Sequence, residues 1–185
     1  MRVAVIGAGP LGRRLALLCA QSGLQVVLED VMPSNLRHAE MELARLDFPV
    51  GSGGAENLTF AATIEAAVRE ADIAIDFVPD ELESKLEIFS LLDRMAPPKT
   101  ILCTPSTAMS ITDLASCTYR ADRCVAVSGS ALADAAAIEI LRSPMTSEET
   151  VSLVAAFWQR LGKTTSVLDD PAAPVLVKNE RFLRP

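Results

Sequence analysis

A doubly wound α/β fold, a mostly parallel sheet with helices on both faces, is the architecture this sequence predicts, and three observations point to it. The chain opens on strand, glycine turn, helix, strand and acid: Arg2-Val3-Ala4-Val5-Ile6, then Gly7-Ala8-Gly9-Pro10-Leu11-Gly12, a helix, Gln25-Val26-Val27-Leu28, and the pair Glu29-Asp30. Strand-like apolar runs and helical periodicities then alternate almost to the end of the chain, the pattern that packs helices on both faces of a parallel sheet. Within that alternation, Asp72-Ile73-Ala74-Ile75-Asp76-Phe77-Val78 is apolar enough to lie between other strands.

The remaining elements follow in order. An amphipathic stretch at 34–46 reads as a helix with Ser34 as its N-cap, since Ser34 follows a proline and opens the periodic run. Pro49, Gly51, Gly53 and Gly54 mark 47–57 as a loop. Leu58-Thr59-Phe60 is a short strand and 63–71 a helix. Residues 80–95 are helical, with Leu82, Leu86, Phe89 and Leu92 spaced for a buried face, and Pro97-Pro98 ends that helix. Strands at 100–103, 124–127 and 138–141 surround a short helix at 111–116. Ser147 starts the last long helix, with Glu148 and Glu149 in its first turn, where they favour the helix dipole. That helix buries Val151, Val154, Phe157 and Leu161 and stops at Gly162, a natural C-terminal glycine. A strand at 164–168 precedes a proline-rich tail.

Each glycine of the opening turn has a physical task. Gly7 permits the tight turn, Gly9 lets the backbone approach a pyrophosphate, and Gly12 lets helix and strand pack closely. The helix that begins at Pro10 and Leu11 then faces the phosphates with free N–H groups and a partial positive charge. Asp30, 18 residues beyond Gly12, stands where an acid hydrogen-bonds the adenosine ribose. A 2′-phosphate would meet two carboxylates there, so a Rossmann-type site for NAD is expected in preference to NADP.

Composition narrows the classes. A chain of 185 residues supports one well-buried domain and is too short for two full ones. A formal charge of −7 without a basic stripe argues against nucleic acid and anionic membranes as partners. Cys19, Cys103, Cys117 and Cys124 form no CxxC and no metal-ligand spacing, and read as buried reduced thiols of a cytoplasmic protein. The glycines and proline of the turn break any export-signal core, and no window approaches the length of a membrane span.

The later landmarks are more specific than the glycines. Residues 3–30, 71–80 with Lys85, 96–102 leading to 110–115, and Ile138-Glu139-Ile140 through Pro144-Met145-Thr146-Ser147 to Leu161-Gly162-Lys163 occur in one order. Together they make the chain resemble the N-terminal, NAD-binding domain of the L-3-hydroxyacyl-CoA dehydrogenases of fatty acid β-oxidation. The resemblance implies cofactor contacts from Gly7, Gly9, Pro10, Leu11, Gly12 and Asp30. It places a pair near the nicotinamide ribose on Asp80, where the family usually has glutamate, and Lys85; an ordinary solvated pair is the alternative. It maps the orienting glutamate of the catalytic centre to Glu139 and a substrate-binding hydroxyl to Thr107. It also makes 1–176 the dinucleotide-binding domain and 177–185 a tail similar to the start of a connecting helix.

The resemblance fails where the chemistry would occur. Family enzymes place a histidine general base just after the strand matching 124–127, but here that segment reads Ser128-Gly129-Ser130-Ala131-Leu132-Ala133-Asp134-Ala135-Ala136. It contains no histidine, asparagine or aromatic residue, and the single histidine, His38, falls on the helix after Asp30. Glu139 then has nothing to orient. The loop at 47–57 lacks the lysines that would meet CoA phosphates, and Asn179 is out of step with a family asparagine.

The leading expectation is therefore an NAD(H)-binding domain with a degenerate catalytic centre. Two others stand beside it. One is an active NAD-dependent oxidoreductase on a small hydroxy or keto compound or an acyl-CoA, with the proton handled by Thr107, Glu139 or water. The other is an interaction module completed by a second copy or by a separate helical domain.

Overall fold

The computed structural model describes residues 1–45, 55–106, 109–128, 132–171 and 176. Eight strands form one sheet: β1 (Arg2–Ile6), β2 (Gln25–Glu29), β3 (Leu58–Ala61), β4 (Ile73–Asp76), β5 (Ile101–Thr104), β6 (Cys124–Val127), β7 (Ala137–Arg142) and β8 (Thr164–Asp169). Their spatial order is β3-β2-β1-β4-β5-β6-β7-β8. Every neighbouring pair is parallel except β6 with β7, which runs antiparallel. That reversal follows from connectivity: among the described residues no crossover helix separates β6 from β7, and a direct return can join antiparallel strands only.

The helices are α1 (Pro10–Gln21), α2 (Pro33–Leu43), α3 (Ile64–Val68), α4 (Leu82–Met95), α5 (Ile111–Ser116) and α6 (Glu148–Arg160). Strand alternation sends Val3, Val5, Val26 and Leu28 to one face, where they meet Leu15, Ala16 and Cys19 of α1 and Val154, Phe157 and Trp158 of α6. Ala4, Ile6, Ala74 and Leu102 face the other way, onto Val68 of α3, Phe89 and Leu92 of α4 and Leu114 of α5. The doubly wound reading of the sequence is the fold observed.

Several local expectations are corrected. Ser34 does not cap α2: Pro33 is its first residue and the Met32 side chain makes no capping bond. Asp30, two residues before, satisfies the start of the helix instead: its Oδ1 accepts from the Met32 N–H at 2.7 Å. Helix α3 is shorter than expected because Thr63 is its N-cap, accepting from Ala66, and the helix ends after Val68. Leu82, expected on the buried face of α4, is 39 % exposed. Phe89 and Leu92 are buried as expected and Leu86 packs partly buried against the core; Lys85, Ile88 and Asp93, rather than Leu82, complete the buried stripe. Cys117 is exposed, whereas Cys19, Cys103 and Cys124 are buried.

The α6 expectations hold. Ser147 accepts from Thr150 as N-cap, and Gly162 beyond the helix adopts φ +76°, the left-handed conformation that glycine supplies cheaply. Among the described residues no helix is long and apolar enough to cross a membrane.

Phe157 and Trp158 meet edge to face with ring centroids 4.9 Å apart, and both are almost fully buried against the sheet. Phe157→Ala is expected to lower unfolding stability by about 3–5 kcal/mol. Leu153→Ala, at a 39 % exposed position of the same helix, should cost under about 1 kcal/mol. Urea denaturation of both variants measures the difference.

Candidate functional site

The three turn glycines are glycines for three different reasons. Gly7 has φ +100°, and a Cβ there would lie 3.2 Å from the Phe77 backbone. Gly12 has no room at all: an added Cβ would stand 2.0 Å from the Gly7 carbonyl oxygen. Gly9 has φ −64°, which any residue adopts, and its Cβ would meet nothing within 4 Å. Neither conformation nor internal packing requires glycine at position 9. The space in front of it suits a group that comes close to the backbone from outside, as a pyrophosphate does.

Helix α1 begins at this space. Leu11 and Gly12, in its first turn, carry N–H groups with no carbonyl four residues back inside the helix. Arg13, which the sequence reading did not single out, holds the turn from behind. Its Nη1 donates to the Ala8 carbonyl at 2.9 Å, and its Nε and Nη2 both donate to Glu42 of α2 at 3.1 Å. Nothing in a lone arginine beside a glycine turn signals this role; it needs α2 folded back alongside.

Asp30 lies at the C-terminal end of β2, 8 % exposed. Its Oδ2 accepts from the Ala8 N–H at 2.8 Å and from Asn35 Nδ2 at 2.9 Å, and its Oδ1 accepts from Met32. One carboxylate therefore ties the glycine turn to the start of α2. Since a carboxylate offers about four lone-pair sites, acceptor capacity remains for a hydroxyl. Glu29, one residue earlier, points to the opposite side of β2, and its Oε1 is buried without a hydrogen-bond partner. Burial, with the Asp30 charge adding to it, pushes the Glu29 carboxyl up to about 7.

These groups surround a cleft of about 340 Å³, lined by Gly7, Gly9, Glu29, Asp30, Asn35, Ile64, Val78 and Ile88. It opens outside the carboxyl ends of β1, β2 and β4, where ligands bind in open parallel sheets. A second hollow of about 320 Å³ lies at the opposite end of the strands. Its Arg2 is occupied by Glu70 and Gln25, and it has no glycine turn or helix N-terminus.

The expected pair of Asp80 and Lys85 is not brought together. Asp80 is exposed, ahead of α4. Lys85 is 1 % exposed, and its Nζ donates to Asp76 Oδ1 at 2.5 Å. The burial of Lys85 overturns the solvated-pair alternative. Burial pushes the Asp76 carboxyl up, and Lys85 opposes that rise. The lysine is held by Asp76 at the end of β4 and does not line the cleft.

Glu139 lies on β7 with an exposed side chain. Its backbone, not its carboxylate, engages Ser128: the Glu139 N–H donates to Ser128 Oγ at 3.2 Å, and its carbonyl accepts from the Ser128 N–H at 2.9 Å. Thr107, residues 129–131 and Asn179 lie outside the described residues. His38 is exposed on α2.

Comparison with known proteins places this geometry. A family model described as "3-hydroxyacyl-CoA dehydrogenase, NAD binding domain" matches residues 2–171. The chain is 30 % identical to a probable 3-hydroxybutyryl-CoA dehydrogenase of Bacillus subtilis (strain 168), over 98 % of this chain and 66 % of that protein. It is 29 % identical to the human mitochondrial hydroxyacyl-coenzyme A dehydrogenase, over 87 % of this chain and 56 % of that protein. It thus spans about two thirds of the first relative and just over half of the second. The crystal structure of 3-hydroxybutyryl-CoA dehydrogenase from Escherichia coli superposes with a TM-score of 0.83 at 26 % identity, over 92 % of this chain and 38 % of that one. That of (S)-3-hydroxybutyryl-CoA dehydrogenase from Ralstonia eutropha gives 0.80 at 25 % identity, over 98 % and 67 %.

Two predictions follow from this geometry. Gly9→Ala should leave the melting temperature unchanged but weaken NADH binding at least about tenfold, whereas Gly12→Ala should lower stability and binding together; paired melts and NADH titrations read both. Lys85→Met leaves a buried carboxyl without its cation and should cost about 3–5 kcal/mol. Asp76→Leu combined with Lys85→Met should cost less than that single change, as a double-mutant cycle in urea would show.

Proposed function

Because the chain belongs to the NAD-binding-domain family of the 3-hydroxyacyl-CoA dehydrogenases, we propose that it binds NAD(H) in the cleft at the carboxyl ends of β1, β2 and β4 without oxidising a 3-hydroxyacyl-CoA by itself. The open space before Gly9 carries this reading: glycine stands there although nothing inside the protein requires it.

The residues fit the dinucleotide. The Leu11 and Gly12 N–H groups and the α1 dipole would hold the pyrophosphate. Asp30, already fixed by Ala8 and Asn35, would accept from the adenosine ribose and repel a 2′-phosphate, which favours NAD over NADP. The bound cofactor supplies hydride acceptance at the nicotinamide. What the segment at 128–136 lacks is the histidine that acts as proton acceptor in the enzymes this chain resembles. No histidine, asparagine or aromatic residue occurs in 128–136, and a positioned general base contributes typically about 10² to 10⁴ in rate. Glu139, with its exposed carboxylate, is a poor substitute. Sensing or sequestering cofactor, or serving a protein partner that completes the centre, is the role consistent with these features, in a cytoplasmic setting.

NADH titration by fluorescence, run beside an acetoacetyl-CoA reduction assay, tests the proposal. Saturable binding with turnover far below about 1 s⁻¹, the low end for enzymes, is expected. Turnover at or above that rate by this chain alone would overturn it.

A further inference from the structure

Glu29 is the one group in the cleft whose chemistry neither the fold nor the glycine turn explains. It is 3 % exposed, its Oε1 has no hydrogen-bond partner, and it lines the same cleft as Gly9 and Asp30. A buried polar atom left without a partner costs about 1–3 kcal/mol, and at the wall of a ligand cleft a bound molecule can remove that cost. The cleft around it offers no positive charge. Beyond Asp30, its lining from β1, α2, α3, the loop after β4 and α4 is Ile6, Asn35, Ile64, Val78, Pro79 and Ile88.

We propose that Glu29 is a second carboxyl contact to the adenosine half of the dinucleotide, on the side of β2 away from Asp30. This rests on the NAD(H) reading above and deepens it. The two acids divide the work by charge state. Asp30 is surrounded by three donors and serves as an acceptor. Glu29 has an apolar wall, an acid as its neighbour, and an anionic pyrophosphate that must enter the same cleft. All three favour its neutral form. A neutral carboxyl carries one O–H donor as well as acceptor oxygens, and the hydroxyls and ring nitrogens of adenosine offer matching partners of both kinds.

A direction with pH follows. Because the folded Glu29 holds its proton to about 7 while an unfolded glutamate loses it near 4.5, the folded protein binds more protons between those values. This contribution to stability is full below about 4.5 and declines as pH rises toward 7. If the neutral form is the one that binds, affinity falls about tenfold between pH 6 and pH 8.

The test measures NADH and ADP-ribose binding from pH 5.5 to 8.5 for the wild type, Glu29→Gln and Glu29→Leu, with thermal melts over the same range. The wild type is expected to bind both ligands about tenfold more weakly at pH 8 than at pH 6. ADP-ribose lacks the nicotinamide, so an equal response places the effect on the adenosine side. Glu29→Gln, which keeps a donor and an acceptor, should bind at all pH values as the wild type does at pH 6. Glu29→Leu should bind weakly throughout while melting at or above the wild-type temperature. A pH step that persists in Glu29→Gln, or a flat wild-type profile, overturns the role of Glu29 and leaves the NAD(H) reading standing. Absence of NADH binding by the wild type at every pH overturns both.

Discussion

The approach of α1 to the turn that follows β1 governs the rest of the structure. With Gly12 so close to the Gly7 carbonyl that a methyl group would fall 2.0 Å from it, the helix starts directly at the end of the first strand. Its N-terminus is thereby aimed across the carboxyl ends of β1, β2 and β4. Asp30 and Arg13 then lock the geometry from two sides, one through the Ala8 N–H and the other through the Ala8 carbonyl. Both reach α2 as well, so the second helix is set by the same turn that shapes the cleft. A single close contact thus connects covalent economy at one residue to the placement of two helices and a ligand site.

Charge inside the fold is arranged around this cleft in two contrasting ways. At the end of the central strand β4, Asp76 and Lys85 form a buried pair in which the Lys85 charge opposes the rise that burial imposes on the Asp76 carboxyl. At the wall of the cleft, Glu29 and Asp30 are both acids with no lining cation beside them, and burial, with the Asp30 charge adding to it, raises the Glu29 carboxyl to about 7. The surface is different in kind. Pairs such as Arg2 with Glu70 and Arg14 with Asp134 are about half exposed on each side and contribute little to stability in water.

The fold was legible because its signals are local and redundant. The glycine turn, the alternation of apolar runs, Ser147 as a cap and Gly162 as a stop each depend on a few neighbouring residues, and all agree. The shortfalls fall where the deciding partner lies outside the periodic run that was read. Asp30 capping α2 displaced Ser34. Lys85 took a core slot on α4 because Asp76 waited on another element. The placement of Asp80 and Lys85 near the nicotinamide ribose came from the resemblance, which does not record that Lys85 faces Asp76 in the core. Glu29 was visible as an acid next to Asp30, but the alternation along β2 that turns it into the cleft's apolar wall gains meaning only once α3 and α4 are in place. The missing histidine, by contrast, is a matter of composition alone, and the sequence states it directly.

The residues proposed to hold a dinucleotide gather at one cleft, whereas the segment at 128–136 contains no histidine. The most direct measurement is a crystal structure of the protein with NAD⁺ bound. It should show the pyrophosphate against Gly9 and the N-terminus of α1, the adenosine between Asp30 and Glu29, and no imidazole within hydrogen-bonding reach of a substrate at the nicotinamide C4. An adenine lodged away from the end of β2, or His38 brought over the nicotinamide ring, would contradict it.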